Sequence, residues 1–333
     1  MRILFDLRSV GLGDNGGSLT IIRSANTLVE LGHDVIIIDS MSNKHTWNKL
    51  IAKHFIPKTV EQIPSADAVI ATGYKSVAHT VSLPDRCGKK IHWIRGWENW
   101  QIPEYEIIKN ILDQPTIKFV NGIGLQKKLK KCGFESCVVR PGYDFDLFYP
   151  TNIRQNKKEL VLGGLYRTDG IFSEIKRSSW ILNTAYAIKQ ARPNLNIRLW
   201  MYGINKSPGK PEIDMYIHRP TIEQKNMLYN NVDVWLAPTR QEGLHMPPAE
   251  AMLTECPIVG TNCLLSGMHD YLINEVNGFM TKNTIEDFSE KSLSLVDDKE
   301  KRIIFGKNAR AKILELGDRK TNMEKMVKLI GEL

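Results

Sequence analysis

Short runs that are apolar almost throughout recur along this chain, with helix-patterned stretches between them. RILFDL comes first, then HDVIIID, ADAVIATG, KKIHWIRG and TIKFVNG, and later ELVLGGL, NIRLWMYG, VDVWLAPT and CPIVGTN. A strand without a polar face must be covered on both sides, and a parallel sheet flanked by helices does this. The intervening segments fit. In SLTIIRSANTLVEL the apolar residues keep helical spacing until Gly32 stops the helix. RSSWILNTAYAIKQA sets Trp180, Ile181, Thr184, Ala185 and Ile188 on one face, and TIEQKNMLYNN starts at a capping Thr221. The fold class expected is α/β.

The alternation runs twice, and the polar, basic stretch YPTNIRQNKKEL separates the two sets. A chain of 333 residues also exceeds what one core usually supports. The expectation is two doubly wound, Rossmann-like domains, 1–150 and 151–315, facing across a cleft. TNMEKMVKLIGEL, within 316–333, is a periodic final helix. Ligands of such sheets bind outside the carboxyl ends of the strands.

Composition narrows the partners. No apolar run approaches the roughly 18 residues of a membrane span, and MRILFDLRS lacks the pattern of a secretory signal. The cytoplasm is the expected compartment. The five cysteines form no CxxC pair, which argues for plain thiols over a disulfide framework or zinc site. A net charge of +8 suits anionic partners: nucleotide phosphates, anionic lipid or nucleic acid. LQKKLKKCGF sets Leu125, Leu129 and Cys132 on one helical face and lysines on the other, which suits either an anionic membrane surface or solvent.

Two motifs carry chemistry. Gly11-x-Gly13-x-x-Gly16 has the form of a dinucleotide-binding loop, and Asp39 follows where such folds keep a ribose-binding acid. Yet RSV intervenes between the first strand and Gly11, and the loop runs on to Gly17, so the glycines suit another phosphate ligand as well. The second motif is EGLHMPPAEAM. Glu242 and Glu250 stand eight positions apart, and Pro247 or Pro248 can open a helix between them. The amides of Gly243, Leu244, His245 and Met246 would then face an anion, helped by the helix dipole. A ligand with hydroxyls at both ends and a diphosphate between, such as a nucleotide sugar, matches two acids flanking free amides.

EGLHMPPAEAM resembles the Glu-x7-Glu motif of retaining family-4 glycosyltransferases, which have the GT-B fold. The resemblance extends over GGSLTIIRSANTLVELGHDVIIID, RPGYDFDLFYP, LVLGGLYR and NIRLWMYG. It implies that Glu242 binds hydroxyls of the transferred sugar and Glu250 the ribose of the leaving nucleotide. It implies that Arg167 and Lys176, or Arg177 in place of Lys176, hold the diphosphate, and that Gly16 and Gly17 lie near donor and acceptor. YIHRPT, with His218, is the place to look for base contacts. His245 lies near the predicted donor. The family's final helix often crosses back to the first domain.

The family's first-domain histidine has no clear counterpart. His92 falls inside a strand, where a core role is the favoured reading and an acceptor-side role the alternative, and Gly96-Trp97-Glu98 occupies the expected place. Trp97 is a candidate to stack on a sugar and Glu98 to accept a hydroxyl. Asp144-x-Asp146 has the form of a metal–diphosphate site, but its context fits an inter-domain segment, and no metal or other cofactor is expected. The function implied is retaining, metal-independent transfer from a UDP- or GDP-sugar to a saccharide or glycolipid, with the inner membrane face as a candidate location. Rivals are transfer to modified DNA, a nicotinamide-dependent oxidoreductase using the Gly11/Gly13/Gly16 loop, and a silent sugar-binding module.

Overall fold

The structure is a computed structural model and describes residues 1–40, 48–99, 102–151 and 153–333. The chain divides into two compact units: Met1–Gly142 with Gly317–Leu333, and Tyr143–Leu316. The first holds β1 (Arg2–Asp6), β2 (Asp34–Ile38), β3 (Lys53–Phe55), β4 (Ala68–Ala71), β5 (Lys89–Ile94), β6 (Ile117–Val120) and β7 (Cys137–Val138). They form one sheet in the order β3-β2-β1-β4-β5-β6-β7, every pair parallel. The second unit holds β8 (Leu160–Leu165), β9 (Ile197–Gly203), β10 (Met215–His218), β11 (Val234–Ala237), β12 (Ile258–Thr261) and β13 (Gly278–Thr281). Its order is β10-β9-β8-β11-β12-β13, again parallel throughout.

Each sheet reverses direction of growth once, between β1 and β4 and between β8 and β11. Such switch points leave a crevice at the strands' carboxyl ends, because the connections on either side depart to opposite faces. The apolar character of the strands follows from burial on both faces. On one side of the second sheet Trp235, Met252, Leu253 and Ile313 pack together. On the other, Leu162, Ile181, Leu199 and Phe288 do so.

The helices start and stop where local chemistry dictates. Asn15 caps Gly16–Glu30, its side chain accepting from the Ser18 amide at 2.9 Å, a bond worth about 1 kcal/mol. In Ser178–Ala191 the buried face is Ser178, Ile181, Thr184, Ala185 and Ile188; Trp180 is half-buried and packs on Phe288. Thr221 and Gln224 make a reciprocal capping box for Ile222–Asn231.

The unit boundary falls at Gly142, earlier than the expected residue 150. The reason is burial: Tyr143 and Phe148 belong to the second unit's core. The last helix, Arg319–Glu332, belongs to the first unit and sends Met323, Met326 and Ile330 into its core. Gly142 permits this packing. At φ +78° a Cβ there would stand 2.4 Å from the Arg319 Cα. The short strands β3, β7, β10 and β13 were not read from the sequence. All four are edge strands of two to four residues, too short to show a period.

Candidate active site

The candidate site grows from the switch point of the second sheet. β8 and β11 lie side by side, with Leu162 opposite Val234. After β8 the Arg167 amide donates to Ser178 Oγ at 2.8 Å, which fixes the turn. After β11 the Arg240 amide donates to the Ile175 carbonyl at 2.8 Å. That bond ties the second loop to the helix Phe172–Lys176, which ends on Lys176.

Lys176 and Glu242 meet at this junction, the ammonium touching carboxylate Oε1. Burial first, and then the Arg167 charge, pushes the Lys176 amine down to about 7. The adjoining carboxylate favours the charged form and offsets part of that desolvation. Arg167 itself is held by Asp169 at 2.9 Å and lies 3.8 Å over the Phe172 ring.

The EGLH loop is held from three sides. The Glu242 amide donates to the Leu265 carbonyl at 2.5 Å. The Tyr271 hydroxyl donates to the His245 carbonyl at 2.8 Å. Gly267 presses against the loop, so that a Cβ there would stand 2.9 Å from both Glu242 Cβ and His245 N. His245 takes φ +50°, a left-handed conformation costing about 1–2 kcal/mol in a non-glycine residue, and the surrounding packing holds it there. Its Nε2 meets Thr239 Oγ1 at 3.2 Å, while Nδ1 is buried without a partner among the described residues. Burial, and next the Lys176 charge, keeps this imidazole neutral, well below its usual pKa. Among the described residues, the amides of Gly243, Leu244 and His245 enter no hydrogen bond. They precede the helix Met246–Leu253, which carries prolines in its first turn. Leu244 is buried and Met246 half-buried in the core below.

Glu250 lies on that helix and is 6% exposed. Its Oε2 takes the Tyr229 hydroxyl at 2.8 Å and the Lys225 ammonium at 3.3 Å. Tyr202 and Tyr229 meet hydroxyl to hydroxyl at 2.8 Å. The sequence reading missed Lys225 and Tyr229, although their i, i+4 spacing places them on one face of Ile222–Asn231. It also missed Gly267, Thr239 and Arg240, for which no local pattern exists.

The remaining second-unit candidates sit apart from this cluster. Arg177 adopts φ +52° between two helices, bonds to Asn283 and lies 4.4 Å over Trp180. Lys176, not Arg177, therefore faces Glu242. His218 ends β10 and is exposed, its Nε2–H donating to the Ile204 carbonyl at 2.9 Å. Asp144 forms a turn whose carbonyl accepts from the Leu147 and Phe148 amides.

In the first unit, the acceptor-side candidates Trp97 and His92 are both buried. Trp97 is 1% exposed. Its indole N–H donates to Glu104 at 3.3 Å and Lys128 covers its ring at 4.8 Å. His92 is fully buried within β5, with neither ring nitrogen partnered among the described residues. It is a core histidine, pushed down to about 3 by burial. Glu98 is half-buried and accepts the Tyr74 amide at 3.5 Å; burial raises its pKa. Gly16 and Gly17 open the first helix, and the Arg95 guanidinium clasps the Gly17 carbonyl at 2.5 Å and the Thr72 carbonyl at 2.7 Å. Asp39 is buried against His54 at 3.2 Å and accepts the Ser40 amide. That makes it a strand-end acid and weakens the dinucleotide reading of the loop. In Ile123–Lys131, Leu125 and Leu129 are buried and Lys127, Lys130 and Lys131 exposed. No described helix is long and apolar enough to cross a membrane.

Residues 165–298 match the family model "Glycosyl transferases group 1". That stretch is similar to the group 1 glycosyltransferases. Every second-unit residue of the cluster falls within that stretch. The capsular polysaccharide biosynthesis glycosyltransferase CapM of Staphylococcus aureus is 33% identical over 86 residues, which is 26% of this chain and 22% of CapM. HepE of Anabaena, solved with UDP and glucose, superposes with a TM-score of 0.79 at 14% identity over 100% of both chains. Sucrose-phosphate synthase of Thermosynechococcus elongatus gives 0.78 at 14% identity, covering 99% of this chain and 98% of that one. At such identities the likeness establishes the fold, and the fold is GT-B.

Proposed function

We propose that this protein is a retaining glycosyltransferase that moves a sugar from a nucleoside-diphosphate donor to a saccharide or glycolipid hydroxyl, without a metal ion. The observation that carries the reading is the Lys176–Glu242 contact at the switch point, with unpartnered amides leading to Glu250. In this reading Lys176 leaves Glu242 for the diphosphate when donor binds, and Arg167 exchanges Asp169 for the same anion. Glu242 is then free to accept hydroxyls of the transferred sugar. The amides of Gly243–His245 face the distal phosphate, and Glu250 takes the ribose.

The chemistry asks for positioning and charge stabilisation. The acceptor oxygen attacks the anomeric carbon on the face that the leaving phosphate vacates. The glycosidic C–O bond forms as the C–O bond to phosphate breaks, and the acceptor proton passes to the departing diphosphate. Two cations stabilise the charge that develops on that leaving group. UDP is the first donor nucleotide to try, since HepE binds it, and a capsule-type saccharide is the first acceptor, given the likeness to CapM.

A thermal-shift panel of UDP, GDP and NAD, followed by donor turnover, tests the reading. Protection by a nucleoside diphosphate but not NAD is expected. Glu242→Ala and Lys176→Ala should each lower turnover at least a hundredfold, and EDTA should change nothing. Protection by NAD alone, full activity in either variant, or loss with EDTA would refute it.

A further inference from the structure

The Glu250 carboxylate is held by more than its own helix. An ionised carboxylate only accepts hydrogen bonds, so the Tyr229 hydroxyl donates to Oε2. Its single proton is then spent, and the Tyr202 hydroxyl 2.8 Å away must donate to the Tyr229 oxygen. The protons run one way, from Tyr202 through Tyr229 to Glu250, and such chains strengthen each member. Both hydroxyls stay protonated: burial pushes Tyr202 up to about 12 and raises Tyr229 further, with the Glu250 charge adding to it.

The Tyr229 ring has no freedom to aim elsewhere. It is fully buried and meets Trp235 at 5.1 Å, Phe148 at 5.7 Å and Tyr202 at 6.1 Å, each edge to face. A phenylalanine would fill the same space. The hydroxyl adds a desolvation cost that only its two hydrogen bonds offset. With Lys225 also on Oε2, Oε1 is the oxygen left for a ligand.

We propose that Tyr229, backed by Tyr202, is a positioning residue that locks the Glu250 carboxylate to receive the ribose hydroxyls of the donor nucleotide. This rests on the nucleotide-sugar reading of the site and adds to it the residues that set ribose recognition. Groups fixed from behind in this way hold a polar contact without reorganising when ligand arrives.

The test is titration calorimetry on the full chain with UDP and GDP, then with the 2′,3′-dideoxy form of whichever binds. Wild type should bind the ribose form roughly tenfold or more tightly than the dideoxy form, the worth of a hydrogen bond to a charged group. Tyr229→Phe should weaken the ribose form by roughly tenfold and leave the dideoxy form unchanged, so the discrimination collapses. A purely structural role would weaken both forms alike, and that result, or intact discrimination, overturns the inference. Should Tyr229→Phe fail to fold, Tyr202→Phe reads the same relay one step back. It is expected to weaken only the ribose form, by about two- to threefold, and an unchanged ratio there refutes the proposal. If wild type binds neither UDP nor GDP, the nucleotide-sugar reading falls first and takes this inference with it.

Discussion

Gly267→Ala puts one methyl group against the loop on which the proposed donor site depends. At φ +78° the new Cβ would stand 2.9 Å from Glu242 Cβ, 2.9 Å from His245 N and 3.0 Å from His245 Cβ. Ordinary contacts begin near 3.4 Å, so the loop must give by about 0.5 Å. It has little room to give, since Leu265 and Tyr271 hold it through backbone atoms. The left-handed conformation costs alanine roughly 1 kcal/mol and overpacking roughly 1–3 more, or about 2–4 kcal/mol in all. For a unit of this size that is a fall in Tm of about 4–16 °C. The same displacement moves Glu242 and the amides, and an error of this order can cost up to a hundredfold in turnover. Gly32→Ala is the control: it shares a positive φ, +86°, but has nothing within 4 Å. It should lower Tm by only a few degrees and leave nucleotide binding intact. Scanning calorimetry and nucleotide titration on both variants decide the matter. Equal Tm and equal affinity for Gly267→Ala and wild type would refute the packing argument.

Three further predictions follow from charge and burial. Because Lys176 sits near pKa 7 in the free protein, nucleoside-diphosphate affinity should fall as pH rises through about 7, by up to tenfold per unit; Lys176→Arg should flatten that profile in calorimetry. An unfolded lysine keeps its proton to about pH 10.4, so between pH 7 and 10 the unfolded chain binds more protons and Lys176 makes stability rise with pH. His92, lowered to about 3, holds fewer protons than an unfolded histidine between about pH 3 and 6.5, so stability should fall as pH drops through that window; His92→Leu should reduce the slope in urea titrations without lowering activity. The exposed Lys127, Lys130 and Lys131 should give salt-sensitive binding to anionic vesicles; co-sedimentation that is equal on neutral vesicles, or unchanged by Lys→Gln at all three, would refute a role for that face.

What the sequence determined by itself was the architecture, together with the stretch that holds the candidate site. Runs such as DVIII and VWLA lack a polar face, and only a sheet covered on both sides satisfies them. The acids of EGLHMPPAEAM announced themselves because a proline-opened helix fixes the geometry between Glu242 and Glu250 over a single turn-and-helix. These are local signals, carried by neighbours in the chain. What the tertiary structure decided is everything that depends on distant segments meeting. Lys176 meets Glu242 while a left-handed Arg177 turns its side chain toward Asn283 and Trp180. Trp97 was withdrawn from solvent by Lys128 and Glu104, residues that no spacing rule connects to it. Gly267 meets Glu242 and His245, and Tyr229 meets Glu250, only because the fold brings distant segments together. Periodicity records which face of an element is buried; it holds no record of what buries it, because packing pairs residues by place in the fold and not by distance along the chain.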